Sequence, residues 1–305
     1  MNDLDTGGAL LPFGRELGPS EASRCLQGDV APLRALVRAH GAVILRDVAR
    51  CIPDAASLAA LGARWGQVMP WPFGPVLKVE ERAVPRDLVF DHAHMPLHWD
   101  GSYREAMPEF MMLYCHRAAS RGGRTLLVDT RRVIRQADAA TLDTWRAISV
   151  TYLKGGRVHY SGAAHSPLVV KHPVTGEDVL RFEGPFPHAH PLVNPPERIW
   201  HGIAEQGITR TEADLATRLL DPNCCLAHRW SEGDLVIGDN FALLHGRESF
   251  EAGSARSLWR VQIHADPLVL NPAVPALSVR PEARSCRLRP PGIRPLRVDD
   301  ERRGS

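Results

Sequence analysis

The sequence has no cysteine framework. Its six cysteines, Cys25, Cys51, Cys115, Cys224, Cys225 and Cys286, show no Cys-x-x-Cys spacing, which argues against a zinc ribbon or a disulfide-stapled fold. The adjacent Cys224-Cys225 pair has poor geometry for a structural bridge, so reduced thiols are expected. Nor is there a run approaching the roughly 18 apolar residues that a membrane span needs. The opening Met1-Asn-Asp-Leu-Asp5 is acidic rather than a charged-then-apolar leader. A soluble, cytoplasmic protein without a membrane partner is expected. Charge of one sign is scarce too: 37 Lys and Arg against 35 Asp and Glu leave a net +2. Scattered arginines so nearly balanced do not mark a nucleic-acid partner. No internal repeat is visible.

What is present is enough apolar residue, 44% of 305, to bury a sizeable core. Residues 1–28 read as an N-terminal extension with a strand edge or turn at Pro12-Phe-Gly14, 29–272 as one domain, and 273–305 as a Pro- and Arg-rich tail. Eight arginines fall within 280–305, and that composition predicts poor order.

Along the domain, Asp29 and Gly41 bracket a helix, Ala42–Leu45 is a short apolar strand, and Asp54 caps a second helix that Gly66 stops. Strands are expected at 76–80, 88–90, 110–116, 125–129, 150–153, 168–171, 179–182, 234–240 and 257–264, with a turn at His245. One amphipathic helix is expected over 131–148 and another from Thr211. Residues 184–200 are too proline-rich for regular structure and read as a loop of lid length. Many short strands with helices at the front and on insertions predict a mainly β, α+β fold. Its expected form is a double-stranded β-helix, or jelly roll, with flanking helices.

The chemistry centres on Pro96-Leu-His-Trp-Asp-Gly-Ser-Tyr103. His98 and Asp100 are two apart, so on an extended backbone both side chains leave one face. That is half a metal site. The best third ligand is His245, in Gly238-Asp-Asn-Phe-Ala-Leu-Leu-His-Gly-Arg247. Two imidazoles and one carboxylate leave positions open on the metal, which suits ferrous iron that binds a co-substrate and O2.

Taken together, His98-x-Asp100, Gly122-Gly-Arg-Thr125, Gly233-Asp-Leu-Val-Ile-Gly-Asp-Asn240, His245 and Arg256-x-x-x-Arg260 resemble the TauD/TfdA family of Fe(II)/2-oxoglutarate-dependent oxygenases. The resemblance covers about residues 30–270. Within the family, Trp71-Pro-Phe-Gly74, Pro96–Gly101, Ala227-His-Arg-Trp230 and Leu243–Glu248 are most similar to isonitrile-pathway oxygenases of the PvcB group. Ser102 and Trp259 depart from the pattern expected there.

The resemblance implies that His98, Asp100 and His245 hold iron, and that Thr125 and Arg256 bind the distal carboxylate of 2-oxoglutarate. It also implies that Arg260 faces the anionic end of the substrate or the inner end of the co-substrate, and that His94 touches substrate. Tyr103 lies just past the ligand turn. Trp71 and Phe73 either line the pocket or fill the core. The reaction implied is desaturation of an amino-acid isonitrile, with or without loss of its carboxylate. Hydroxylation of a free or carrier-tethered amino acid is the alternative within enzymes. Because Asp100 is intact, halogenation is not expected.

Readings from other classes stay open here. They are an inactive jelly-roll binding protein and a zinc hydrolase using His92-x-His94, the latter disfavoured by the missing strand-helix alternation. His188 and His190 fall in the proline-rich loop. Arg247 and Glu248 are expected to pair, and Asp239 and Asn240 to satisfy backbone groups at a strand end.

Overall fold

A computed structural model describes residues 12–85, 87–155, 162–185 and 196–274. Its N-terminal half opens with β1 (Arg15–Leu17), α1 (Pro19–Gln27), α2 (Val30–His40), β2 (Ala42–Leu45), α3 (Ala55–Trp65) and β3 (Leu77–Glu80). Next come β4 (Met95–His98), β5 (Pro108–Arg117), β6 (Thr125–Asp129), α4 (Thr130–Gln136), α5 (Ala139–Ala147) and β7 (Ser149–Lys154). The remainder is β8 (Gly162–Pro167), β9 (Val169–Lys171), β10 (Asp178–Leu180), β11 (Glu197–His201), α6 (Glu205–Leu219), β12 (Cys225–His228), β13 (Leu235–Asp239), β14 (Leu243–Arg247) and β15 (Ser257–His264).

Two sheets make the jelly-roll core. The larger has the order β1-β2-β13-β5-β15-β3 and the smaller β12-β6-β14-β4. Strict alternation explains how the larger sheet buries both faces. Val43, Leu45, Phe110, Met112, Tyr114, Leu235 and Ile237 meet the helix residues Leu33, Val37, Leu58, Leu61 and Trp65. Their neighbours Ile44, Met111, Leu113 and Val236 pack with Leu127 and Leu243 of the smaller sheet. The other face of the smaller sheet carries Leu97, Val128 and Leu244, which pack with Trp145, Leu215, Leu219 and Tyr152. A three-stranded sheet, β11-β7-β8, and the β9-β10 hairpin complete the strands.

The helix boundaries follow the capping chemistry. Asp29 accepts from Ala31 N–H and Asp54 from Ser57 N–H, while Gly41 takes φ 78° at the end of α2. The strands expected at 168–171 and 179–182 pair as the β9-β10 hairpin, with Lys171 opposite Asp178.

Several expectations are corrected. The helix expected over 131–148 is two, because Asp138 leaves helical geometry and caps α5 through Thr141 N–H. Residues 88–90 form a 3-10 turn, since Asp87 accepts from Val89 N–H and folds the segment back. His245 lies inside β14 rather than in a turn. Glu197–His201, partly within the stretch read as irregular, pairs with β7. The helix expected from Thr211 begins at Glu205. Strands β8 and β12 carry no alternation that the sequence reading detected. Arg15–Leu17, within the segment read as an extension, pairs in parallel with β2. The tail beyond 274, and His188 and His190, lie outside the described residues.

Candidate metal centre and co-substrate pocket

Strand pairing brings the distant histidine home. β14 runs antiparallel to β4 with His245 directly opposite His98, so both imidazoles leave the same face. Their ring centroids are 4.3 Å apart. Trp99 points the other way, fully buried and edge-on to Tyr152. Asp100 then returns to the side of His98, two residues past the end of β4. Its turn requires Gly101, whose φ is +82° and where a Cβ would stand 2.7 Å from Pro108 Cδ. Asn240 clamps the turn: its Oδ1 accepts from Asp100 N–H at 2.9 Å, and its Nδ2 donates to the Asp100 and Pro108 carbonyls. The expected backbone role of Asn240 therefore serves Asp100 itself.

Ligand atoms of His98, Asp100 and His245 all lie within 4.8 Å of one another. Their chemistry fits a divalent cation. His98 Nδ1 stands 2.9 Å from the Pro96 carbonyl, which can only accept, so Nδ1 carries a proton and Nε2 is the nitrogen available to a metal. Burial, with His98 adding to it, holds His245 down to about 3, leaving a neutral imidazole. Burial opposes the charge on Asp100, yet the Arg260 guanidinium holds its carboxyl below the ordinary carboxylate range. Its Oδ2 is buried with no hydrogen-bond partner among the described residues. A buried anionic oxygen of that kind calls for a cation.

The residues expected to grip the co-substrate are both buried. Thr125, on β6 beside β14, accepts a hydrogen bond from Trp230 Nε1 at 3.0 Å. Because an indole only donates, the threonine proton remains to serve another acceptor. Arg256 is 3% exposed, its Nε has no partner, and no carboxylate of the described residues is within ion-pair reach of it. Burial lowers it to about 10. Gly123, two residues before Thr125, packs on Arg256, since a Cβ there would stand 3.2 Å from Nε. Arg247 is buried as well and held down to about 9, first by burial and then by Arg256. Two buried guanidiniums that repel each other favour an anion between or beside them.

Arg247 does not pair with Glu248. Its Nη2 donates to the Leu88, Asp91 and Ala93 carbonyls at 3.0, 2.6 and 2.8 Å, while Glu248 pairs with Arg124. The 3-10 turn and the four irregular residues between it and β4 leave carbonyls that need a donor, which the buried guanidinium supplies and a carboxylate cannot. Asp239 meets the expectation at the strand end by accepting from Phe241 N–H, and it also binds His172.

One cavity is lined by His98, Asp100, Trp71, Tyr103 and Arg260, with Glu183 and Lys154. Arg260 lies on β15 with Nη1 3.1 Å from Asp100 Oδ1. Trp71 is fixed by donating to Gln262 Oε1 at 2.9 Å. Phe73, 39% exposed, stacks on Trp71 from outside the lining, and His94 also stands off it, exposed near Arg247. Sequence reasoning missed Glu183 because it follows a strand in a proline-rich stretch, with no motif to single it out.

The profile described as taurine catabolism dioxygenase TauD, TfdA family matches residues 7–262. The chain belongs to this family. It is accordingly an iron- and 2-oxoglutarate-dependent oxygenase with O2 as the other co-substrate, acting on a small molecule. Among its relatives is a tyrosine isonitrile desaturase of Pseudomonas aeruginosa, 40% identical over 243 residues, spanning 79% of this chain and 83% of that one. A 3-((Z)-2-isocyanoethenyl)-1H-indole synthase of Fischerella ambigua is 33% identical, with 84% and 94% covered. The solved structure of PvcB, an Fe, alpha-ketoglutarate dependent oxygenase from an isonitrile synthetic pathway, superposes with a TM-score of 0.72. It is 35% identical, over 90% of this chain and 93% of that one. No described helix is long and apolar enough to cross a membrane.

Proposed function

We propose that this TauD/TfdA oxygenase desaturates an amino-acid isonitrile, with or without loss of its carboxylate, in secondary metabolism. In this reading His98, Asp100 and His245 hold Fe(II). Thr125 and Arg256 bind the distal carboxylate of 2-oxoglutarate, the hydroxyl and guanidinium each supplying a donor. Bound iron supplies the oxidising power, coupling breakdown of 2-oxoglutarate to removal of hydrogen from substrate carbon. The chain's own work is positioning. Asn240 sets the Asp100 turn, Arg260 holds the Asp100 carboxylate ionised, and the apolar wall with Trp71 and Tyr103 keeps water off the reacting carbon. Cytoplasmic action on a free or carrier-tethered substrate completes the proposal.

What carries the reading is that two imidazoles and a carboxylate converge in a chain this similar to a tyrosine isonitrile desaturase. Iron-loaded protein should be incubated with 2-oxoglutarate and a panel of amino-acid isonitriles and amino acids, free and carrier-bound. The expected product of an isonitrile is lighter by two hydrogens, or by two hydrogens and CO2 where the carboxylate is lost, and is formed with one succinate. A product heavier by one oxygen, made only from an amino acid, would replace desaturation by hydroxylation. Asp100→Ala should lower coupled turnover by more than about a hundredfold; retention of full turnover would remove that carboxylate from the metal.

A further inference from the structure

One carboxylate in the cavity has no part in holding iron or 2-oxoglutarate. Glu183 is 6% exposed and shares the cavity with His98 and Asp100. Its position is set by backbone. Gly184 N–H donates to the Leu97 carbonyl at 2.9 Å, so the chain at Glu183 runs beside β4, next to the residue preceding His98. The N–H of Glu183 itself donates to Tyr152 Oη at 3.1 Å. The side chain then meets Tyr103, whose hydroxyl donates to Oε2 at 3.1 Å.

That single hydroxyl satisfies one of about four acceptor positions on a carboxylate. Much of the rest of the lining is apolar or aromatic: Trp71, Leu88, Val89 and Met95. Such a wall fits an aromatic ring, and a buried carboxylate at its edge gains from every further donor it accepts. Burial pushes the Glu183 carboxyl up, opposed by His98, Lys154 and the Tyr103 hydroxyl; a donor arriving with the substrate would add to that opposition. A substrate carboxylate in the same place would bring it no donor.

We infer that Glu183, oriented by Tyr103, accepts a hydrogen bond from an O–H or N–H group on the substrate's aromatic side chain. It thereby selects phenol- or indole-bearing substrates over an unsubstituted ring. This rests on the isonitrile reading above and adds the identity of the group recognised.

The test is equilibrium binding under argon to protein loaded with Fe(II) and 2-oxoglutarate. The ligands are tyrosine isonitrile and phenylalanine isonitrile, which differ by one hydroxyl. The wild type should prefer the hydroxylated ligand by at least about tenfold, as expected where a buried acceptor is otherwise left unpaired. In Glu183→Leu the two affinities should converge within about threefold, through loss on the hydroxylated ligand alone. Glu183→Gln, which keeps a carbonyl acceptor, should lie between them and serves if the leucine variant fails to fold. The visible band of 2-oxoglutarate on iron reports in each protein that the metal site is assembled. A preserved preference in the variants, or equal loss on both ligands as a purely structural role would give, overturns the role of Glu183 and leaves the oxygenase reading intact. No binding of either ligand to wild type whose band is present overturns the substrate class and this role with it. Absence of the band in the wild type strikes the metal assignment instead.

Discussion

His228 shows how one buried side chain couples folding to proton concentration. It sits on β12 opposite Thr125, and burial, with Arg46 adding to it, holds it down to about 3. Asp234, 3.6 Å away, is committed to Arg46 at 2.6 Å. The folded state therefore keeps His228 neutral while the unfolded chain protonates near its ordinary value. Its contribution is fully present above about pH 6.5 and is lost as pH falls from there towards 3. Between pH 7.5 and 5.0 the metal-free wild type should lose about 2 kcal/mol more stability than His228→Gln. Urea midpoints at the two pH values measure it, and equal losses would show that His228 is not the source. His245 is held down similarly, and comparing the two proteins cancels its share.

Elements matter here mainly at their ends. The loop between β13 and β14 carries Asn240, which makes three hydrogen bonds to backbone beyond β4 and at the start of β5. Asn240→Ala leaves those buried groups without partners and should cost about 2–3 kcal/mol in urea denaturation. The same variant should bind Fe(II) about ten- to a hundredfold more weakly in an anaerobic titration, because the Asp100 turn loses its support. A destabilised protein with unchanged iron affinity would show that the turn holds its shape without Asn240. Capping decided other boundaries. Asp29, Asp54 and Gly41 were readable because each satisfies or ends a helix locally, whereas Asp138 divides what periodicity alone presents as one helix.

For the molecule as a whole, thiol chemistry offers a test of the packing. Among the described residues Cys25, Cys115 and Cys224 are buried, and Cys51 and Cys225 are half-buried, all unpaired. Burial pushes the Cys115 thiol up to about 12, with Asp234 adding to it, and pushes Cys225 up to about 11, with Cys224 adding to it. In a Cys286→Ser background at pH 7.5, a disulfide exchange reagent should label at most one thiol quickly, Cys51, and all five after denaturation. Rapid labelling of Cys115 in native protein would mean that the larger sheet opens far more readily than its burial implies.

The local chemistry of this chain was open to reading from residue order alone. Caps, turns, strand alternation and the His98-x-Asp100 pair depend on neighbours a few positions away, and the spaced motifs carried the family. Tertiary structure decided everything that depends on partners far along the chain. It put His245 opposite His98 through strand pairing and drew Arg247 to carbonyls instead of Glu248. It also set Arg260 against Asp100 and brought Glu183 to the cavity through a hydrogen bond to β4. Side chains this far apart along the chain meet only through backbone registers and shared burial, and neither is written in spacing.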